Sequence, residues 1–184
     1  MATADVLSRH ELPYTVRYVL VTGEELGLHG SRAYAESVAD AGEDVAAVLN
    51  LDMIAYDSDG EPTLNLHTRE GTAGATDTEI AEIFADVVEI YDLDLMPIIV
   101  ASNLRLSDHA PFWDVGYPAI AASEDFDDFN ENYHSNEDRL AALNLPYFTQ
   151  FARAAAATTM HLAGVVDVVH DPRPADLTEP VTLS

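Results

Sequence analysis

Apolar and polar positions alternate along this chain in two periods, one of strands and one of helices. Residues 14–21 (YTVRYVLV) are β-branched and aromatic and predict a strand. A helix is predicted from Ser31, which can cap it, to about Ala41, with Gly42 as the stop signal. Residues 45–56 (VAAVLNLDMIAY) form an almost unbroken apolar run bounded by turn residues, the pattern of a central strand covered on both faces. Residues 63–67 predict a further strand. After Thr76 and Asp77, the apolar residues Ile80, Ile83, Phe84, Val87, Val88 and Tyr91 recur along one helical face. Residues 95–101 (LMPIIVA) read as a strand whose Pro97 points to a sheet edge or a strand start. Ser107 can cap a short helix around residues 111–113, and residues 117–122 predict another short strand. Asn144 and Pro146 open a last helix to about Leu162, closed by Gly164.

Strand–helix alternation of this kind predicts an α/β fold with helices on both faces of a sheet. Ligands in such sheets sit at the carboxyl ends of the strands, so chemistry is sought just after each one. Residues 1–166 read as one domain. Residues 167–184 read as an acidic tail with three prolines.

Charge narrows the possible functions. Eight basic residues, all Arg, stand against 33 acidic ones in 184 residues, a formal net charge of −25. This excludes phosphate-driven nucleic-acid binding and docking on an anionic membrane, and it favours cations near the surface. The bland source of such a balance is salt adaptation or a GC-rich coding sequence. With no cysteine, any metal must be held by His, Asp or Glu. No apolar run is long enough for a transmembrane helix, and residues 1–10 show no signal-peptide pattern.

Three strand ends carry suggestive polar residues. Gly23-Glu24-Glu25 follows the first strand, and adjacent carboxylates raise each other's proton affinity; the plain alternative is a solvated acidic turn. Asp52 interrupts an apolar strand, where a bare carboxylate costs several kcal/mol unless compensated. In a chain with few Arg and no Lys, a metal cation is a natural partner; the alternative is a strand-end Asp bonded to backbone N–H groups. His134 lies in Asn132-Tyr133-His134-Ser135, and neutral imidazole is a common zinc ligand; the alternative is plain exposure. Ser107-Asp108-His109 is a weaker candidate, readable as a helix cap, with His109 as a neighbour of a metal site. His10, His29, His67, His161 and His170 read as surface or core-edge residues. There is no Gly-rich phosphate loop and no serine-nucleophile elbow.

Four stretches taken together resemble the catalytic domain of the co-catalytic dizinc exopeptidases, of the bacterial leucyl aminopeptidase and glutamate carboxypeptidase type. They are GEELGLHGSRAYA (residues 23–35), LNLDMIAY (49–56), SDHAPFWDVGYPAI (107–120) and YHSNEDRLAALN (133–144), in the family's order. The resemblance implies a mixed, mostly parallel sheet with helices on both faces. It implies two zinc ions, a peptide substrate and a metal-assisted hydrolysis of a terminal peptide bond. It assigns Glu24 as general base, Glu25 as a ligand of one zinc, His134 as its partner there, and Asp52 as a ligand of the other zinc. Residues 107–112 are similar to a stretch that lines the family's pocket.

The family also carries an upstream His ligand in a His-x-Asp motif and an Asp that bridges both metals, and neither is found before Glu24; His10 lacks the motif. Residues 1–166 are therefore expected to be a partial zinc exopeptidase domain, with weak or no zinc binding and little activity on their own. Aminopeptidase is the leading activity, since an acidic site favours an amino terminus. A carboxypeptidase would need a basic pocket, for which Arg105 is the nearby candidate. A non-catalytic binding domain of the same fold is the other alternative. The family is often secreted, and localisation stays open.

Overall fold

The computed structural model describes residues 2–164; the acidic tail and His170 lie outside them. The elements in chain order are helix α1 (Ala2–Leu7), helix α2 (His29–Asp40), strand β1 (Val48–Leu51), strand β2 (Thr63–Thr68), helix α3 (Ala75–Ile90), strand β3 (Met96–Ala101), helix α4 (Ala110–Asp114), strand β4 (Ala119–Glu124) and helix α5 (Leu145–Leu162). The sheet runs β1-β4-β2-β3. β1 and β4 are parallel, β2 and β3 are parallel, and β2 meets β4 antiparallel with Leu66 opposite Ala122.

Side-chain alternation divides the core between the two faces of the sheet. Leu64 and Leu66 of β2 and Ile120 and Ala122 of β4 pack against Phe84, Val87 and Val88 of α3 and Phe151 and Ala154 of α5. Phe84 and Phe151 meet edge to face at 6.1 Å, each burial stabilising the fold by roughly 1.5–3 kcal/mol. On the other face Ala119 packs with Phe112 and Trp113 of α4 and Ala35 of α2. The mixed sheet with helices on both faces is thus as expected.

The helix signals map closely. In α3, Ile80, Phe84, Val87 and Val88 are buried while Tyr91, one residue past the helix, is exposed with its hydroxyl 3.1 Å from His161 Nε2. Asn144 caps α5 by accepting from Tyr147 N at 3.1 Å. A buried ion pair ties the layers: Arg69, just past β2, donates to Asp77 of α3 at 2.7 and 2.9 Å. Asp77 also accepts from Ala119 N of β4 at 3.0 Å.

Four expectations need correction. Residues 14–21 join no sheet among the described residues. Their ends are held by helices instead: Tyr14 N donates to Ala163 O at 3.2 Å, and Thr22 O accepts from Gly30 N at 2.9 Å. With no strand beside it the segment stays exposed, Leu20 at 85%. The apolar run 45–56 supplies only β1, which occupies one edge of the sheet, not its centre. Met53 bends the chain away with a left-handed φ of 55°. Ser31 does not cap α2, which starts at His29; its hydroxyl donates to Leu28 O at 3.2 Å. Ser107 does not cap α4 either, because its hydroxyl is turned to Asp52. Pro97 does fall on an edge strand, β3.

Candidate functional site

Gly23, with φ of 73°, lets the chain leave the extended segment. The next residue starts a tight turn in which Glu24 O accepts from Gly27 N and Leu28 N, both at 2.9 Å, leading into α2. Gly30 locks this turn onto the preceding strand-like segment. A Cβ there would stand 2.5 Å from Thr22 O and 2.6 Å from Thr22 N, so the close approach requires glycine. The turn presents Glu24 half-buried and Glu25 exposed.

Asp52 is the first residue beyond β1, its N–H donating to Ala122 O at 3.1 Å. Ser107 Oγ donates to Asp52 Oδ2 at 2.6 Å and itself accepts from Asn50 Nδ2 at 2.7 Å. A hydroxyl, not the backbone amides, thus fixes this carboxylate. His134 sits in the loop after β4 with φ of 58°. Its ring stacks on Tyr133 at 3.8 Å between centroids, and its Nε2 lies 2.6 Å from Glu25 Oε1. Two residues separated by more than a hundred positions therefore meet directly. Left-handed φ at non-glycine residues such as Met53 and His134 costs of order 1–3 kcal/mol each and clusters at functional sites.

The electrostatics join the remaining members. Burial raises the proton affinity of the Glu24 carboxyl, and the charges of Glu25, Asp52 and Asp108 raise it further, against the opposing pull of His134. The Tyr133 hydroxyl is pushed up by burial and then by Glu25, Asp52 and Glu24. Glu24, Glu25, Asp52 and His134 thus share one field, with Asp108 at its margin.

One imidazole nitrogen with two carboxylates is a donor set that suits zinc, and the Glu25–His134 contact brings two such donors together. Asp52 does not close a common shell with that pair. Among the described residues, the group of three or more acidic or histidine side chains whose donor atoms all lie within 4.8 Å of one another is Asp57, Asp59 and Asp128. Those side chains tie loops: Asp128 accepts from Ser58 N and Ser58 Oγ, both at 2.6 Å, and Asp57 from Asn144 Nδ2 at 2.6 Å.

The other polar candidates fall elsewhere. His109 is fully buried, its Nε2 2.7 Å from Leu104 O and its ring against Trp113, which makes it a core residue. His67 and His161 are buried and His10 and His29 exposed. Arg105 pairs with Asp114, which also pairs with Arg32, at the exposed surface. Sequence reasoning missed the Asn50–Ser107–Asp52 chain and the Tyr133 stack. The position of the Ser107-Asp108 run, in the loop after β3, was the available signal.

Comparison with known proteins places these features in context. The sequence model described as Peptidase family M28 matches residues 1–159. A leucine aminopeptidase 1 of Phaeosphaeria nodorum is 30% identical over 155 residues, which cover 82% of this chain and 39% of that protein. The crystal structure of LapB from Legionella pneumophila superposes with a TM-score of 0.75 at 25% identity, over 88% of this chain and 43% of that one. BSAP, a zinc aminopeptidase from Bacillus subtilis, shares the fold with a TM-score of 0.71 at 20% identity, over 85% of this chain and 38% of that one. The chain spans about two fifths of the length of these relatives.

Proposed function

This chain belongs to peptidase family M28, and from that footing we propose that it carries part of the working site of a zinc-dependent exopeptidase acting at a free amino terminus. The observation that supports the reading best is the 2.6 Å contact between Glu25 and His134 beside a half-buried Glu24 of raised proton affinity. In this reading Glu25 and His134 hold one zinc and Asp52 the other. Bound zinc supplies a water of lowered pKa and a polarised scissile carbonyl.

The chain's own residues do the rest. Glu24, left unligated, takes a proton from the attacking water and delivers it to the leaving amine. Its raised proton affinity suits a proton acceptor. Ser107 and Asn50 hold Asp52 in one orientation, and Tyr133 holds the His134 ring. The acidic surroundings favour a positively charged amino terminus over a carboxylate.

Three donors are fewer than two four-coordinate ions require, so weak zinc retention and low activity belong to the same reading. A second reading is a non-catalytic binding domain of this fold, in which Asp52 closes no common shell with Glu25 and His134.

Hydrolysis of leucine p-nitroanilide by the zinc-supplemented chain, with and without chelator, tests the choice. Chelator-sensitive cleavage that disappears with the N-acetylated substrate supports the aminopeptidase. Cleavage of amino-blocked peptides from the other end indicates a carboxypeptidase. Zinc binding with no hydrolysis of either kind favours the binding domain.

A further inference from the structure

Strand β3 ends the sheet, and among the described residues no strand lies beyond it. Its pairing with β2 fixes which backbone groups point where. Met96 N donates to Pro62 O at 2.8 Å and Ser102 N to Thr68 O at 3.2 Å, so the even-numbered residues turn their N–H and C=O groups towards β2. By alternation Pro97, Ile99 and Ala101 turn theirs outward. The open edge therefore offers Ile99 N and Ala101 N as donors and the carbonyls of Pro97, Ile99 and Ala101 as acceptors.

Natural sheets blunt such an edge with charged side chains, bulges, proline or a covering element. β3 (MPIIVA) carries no charge, and Pro97 is its only device of this kind. Met96, Ile98 and Ile99 are 44%, 49% and 37% exposed. Beside the edge, α3 and the turn that follows it shape a groove of about 430 Å³, with Val88, Leu95 and Pro97 as its apolar floor. Asp86, Glu89 and Asp92 also line it, and no cationic residue does. Asp94 precedes the strand, and Glu70 stands past its other end, accepting from Asn103 Nδ2 at 2.8 Å. Both ends of the edge are thus acidic. A second copy laid along β3 in either direction sets carboxylates against carboxylates, so charge opposes self-pairing and favours a cationic strand.

We propose that the β3 edge and its groove dock an extended cationic segment of a partner protein, which joins the sheet as a fifth strand. In antiparallel addition the partner residue opposite Ile99 exchanges two hydrogen bonds with it. The residue opposite Ala101 accepts from its N–H, and the one opposite Pro97 donates to its carbonyl. Side chains opposite Pro97 and Leu95 lie on the groove side, where Arg or Lys meets the carboxylates. Those opposite Met96 and Ile98 lie on the other face and cover the exposed apolar residues there. This surface is separate from Glu24, Glu25, Asp52 and His134, and it needs no metal.

The test uses the 184-residue chain without added metal and three peptides blocked by N-acetyl and C-amide groups, so that no free terminus is offered to an exopeptidase. The first is Thr-Val-Thr-Ile-Arg-Val-Arg. The second replaces both Arg by Glu, and the third replaces the second Thr, which faces Ile99, by Pro. Calorimetry reads affinity, and backbone amide shifts in solution NMR read the place of binding. The first peptide should bind, shift the amides of Ile99 and Ala101, and bind more weakly at about 1 M salt than at about 0.1 M. The second and third should bind about tenfold more weakly or not at all. Ala101→Pro removes an outward donor and no β2–β3 bond, and it should weaken the first peptide by a similar factor. The double variant Asp86→Asn, Asp92→Asn removes two charges and carries the test if Ala101→Pro does not fold; Asn suits the left-handed φ of 50° at position 92. The proposal is overturned if the first peptide does not bind, if all three bind alike, if the shifts centre away from β3, or if the folded variants bind as well as the parent. Dimerisation of the chain that Ala101→Pro abolishes would give the edge to a second copy and overturn it too. Since no metal is present, such a failure leaves the zinc reading standing, and a failure of zinc binding leaves this result standing.

Discussion

Ser107 Oγ donates a 2.6 Å hydrogen bond to Asp52 Oδ2, joining the loop before α4 to the end of β1 across 55 residues of sequence. A carboxylate held in this way has less orientational freedom to lose on binding a cation. Ser107→Ala is expected to leave the fold intact and to weaken zinc binding by about 10–100-fold, the usual effect of removing a residue that orients a ligand. Calorimetric zinc titration checks it. An unchanged affinity would mean that Asp52 needs no support or binds no metal.

Glu24 should separate binding from proton transfer. Glu24→Gln preserves size and hydrogen bonding and removes the base. Any chelator-sensitive hydrolysis should fall by about 10²–10⁴-fold, with zinc affinity unchanged. Steady-state assay beside zinc titration reads both. A fall in zinc affinity comparable to the fall in rate would make Glu24 a ligand.

The Arg69–Asp77 pair is structural. Asp77 is fully buried and takes two hydrogen bonds from the Arg69 guanidinium, which lies 5.5 Å over the Trp113 ring, and a third from Arg69 N. Asp77→Asn keeps an acceptor for Ala119 N but leaves the buried guanidinium without its counter-charge. Urea unfolding should show a loss of about 3–5 kcal/mol. A loss under 1 kcal/mol would show that the pair does not hold β2, α3 and β4 together.

His109 sets an acid limit on stability. Burial lowers its pKa from 6.5 to about 4; the Leu104 carbonyl and Asp77 oppose the shift, and His67 and Arg105 add to it. Above the ordinary value both folded and unfolded chains carry this imidazole neutral. Below about pH 6.5 the unfolded chain takes up a proton that the folded chain refuses, so stability drops as the pH falls towards 4. The drop attributable to this residue approaches about 3 kcal/mol. Denaturant unfolding at pH 7.5 and pH 5, for the parent and for His109→Gln, should show the parent losing more stability on acidification. Equal losses would assign the acid sensitivity to other groups.

The fold was legible wherever local chemistry and packing agree. The apolar stripe of α3 and the Asn144, Pro146 and Gly164 signals of α5 correspond to helices seen. Residues 14–21 show the limit. A strand is a pairing, and aromatic and β-branched residues at Tyr14, Thr15, Val16 and Val19 cannot state whether a neighbour lies beside them. The apolar run around β1 misled for a related reason: high apolar content does not distinguish an edge from a centre, and the left-handed turn at Met53 has no residue-type signature. At the site, Glu24, Glu25, Asp52 and His134 were visible as charged or metal-binding types at segment ends. The bond from Ser107 to Asp52 was not, because a side-chain contact between distant positions leaves no periodic trace.

The claim on which the rest depends is that Glu25, His134 and Asp52 receive zinc while Glu24 stays free. Zinc titration followed through the imidazole nitrogen signals of the seven histidines tests it most directly, since it detects weak binding residue by residue. His134 should respond first, the response should be lost in Glu25→Ala and weakened in Asp52→Ala, and it should persist in Glu24→Gln. A first response at another histidine, or one indifferent to Glu25 and Asp52, would contradict the assignment.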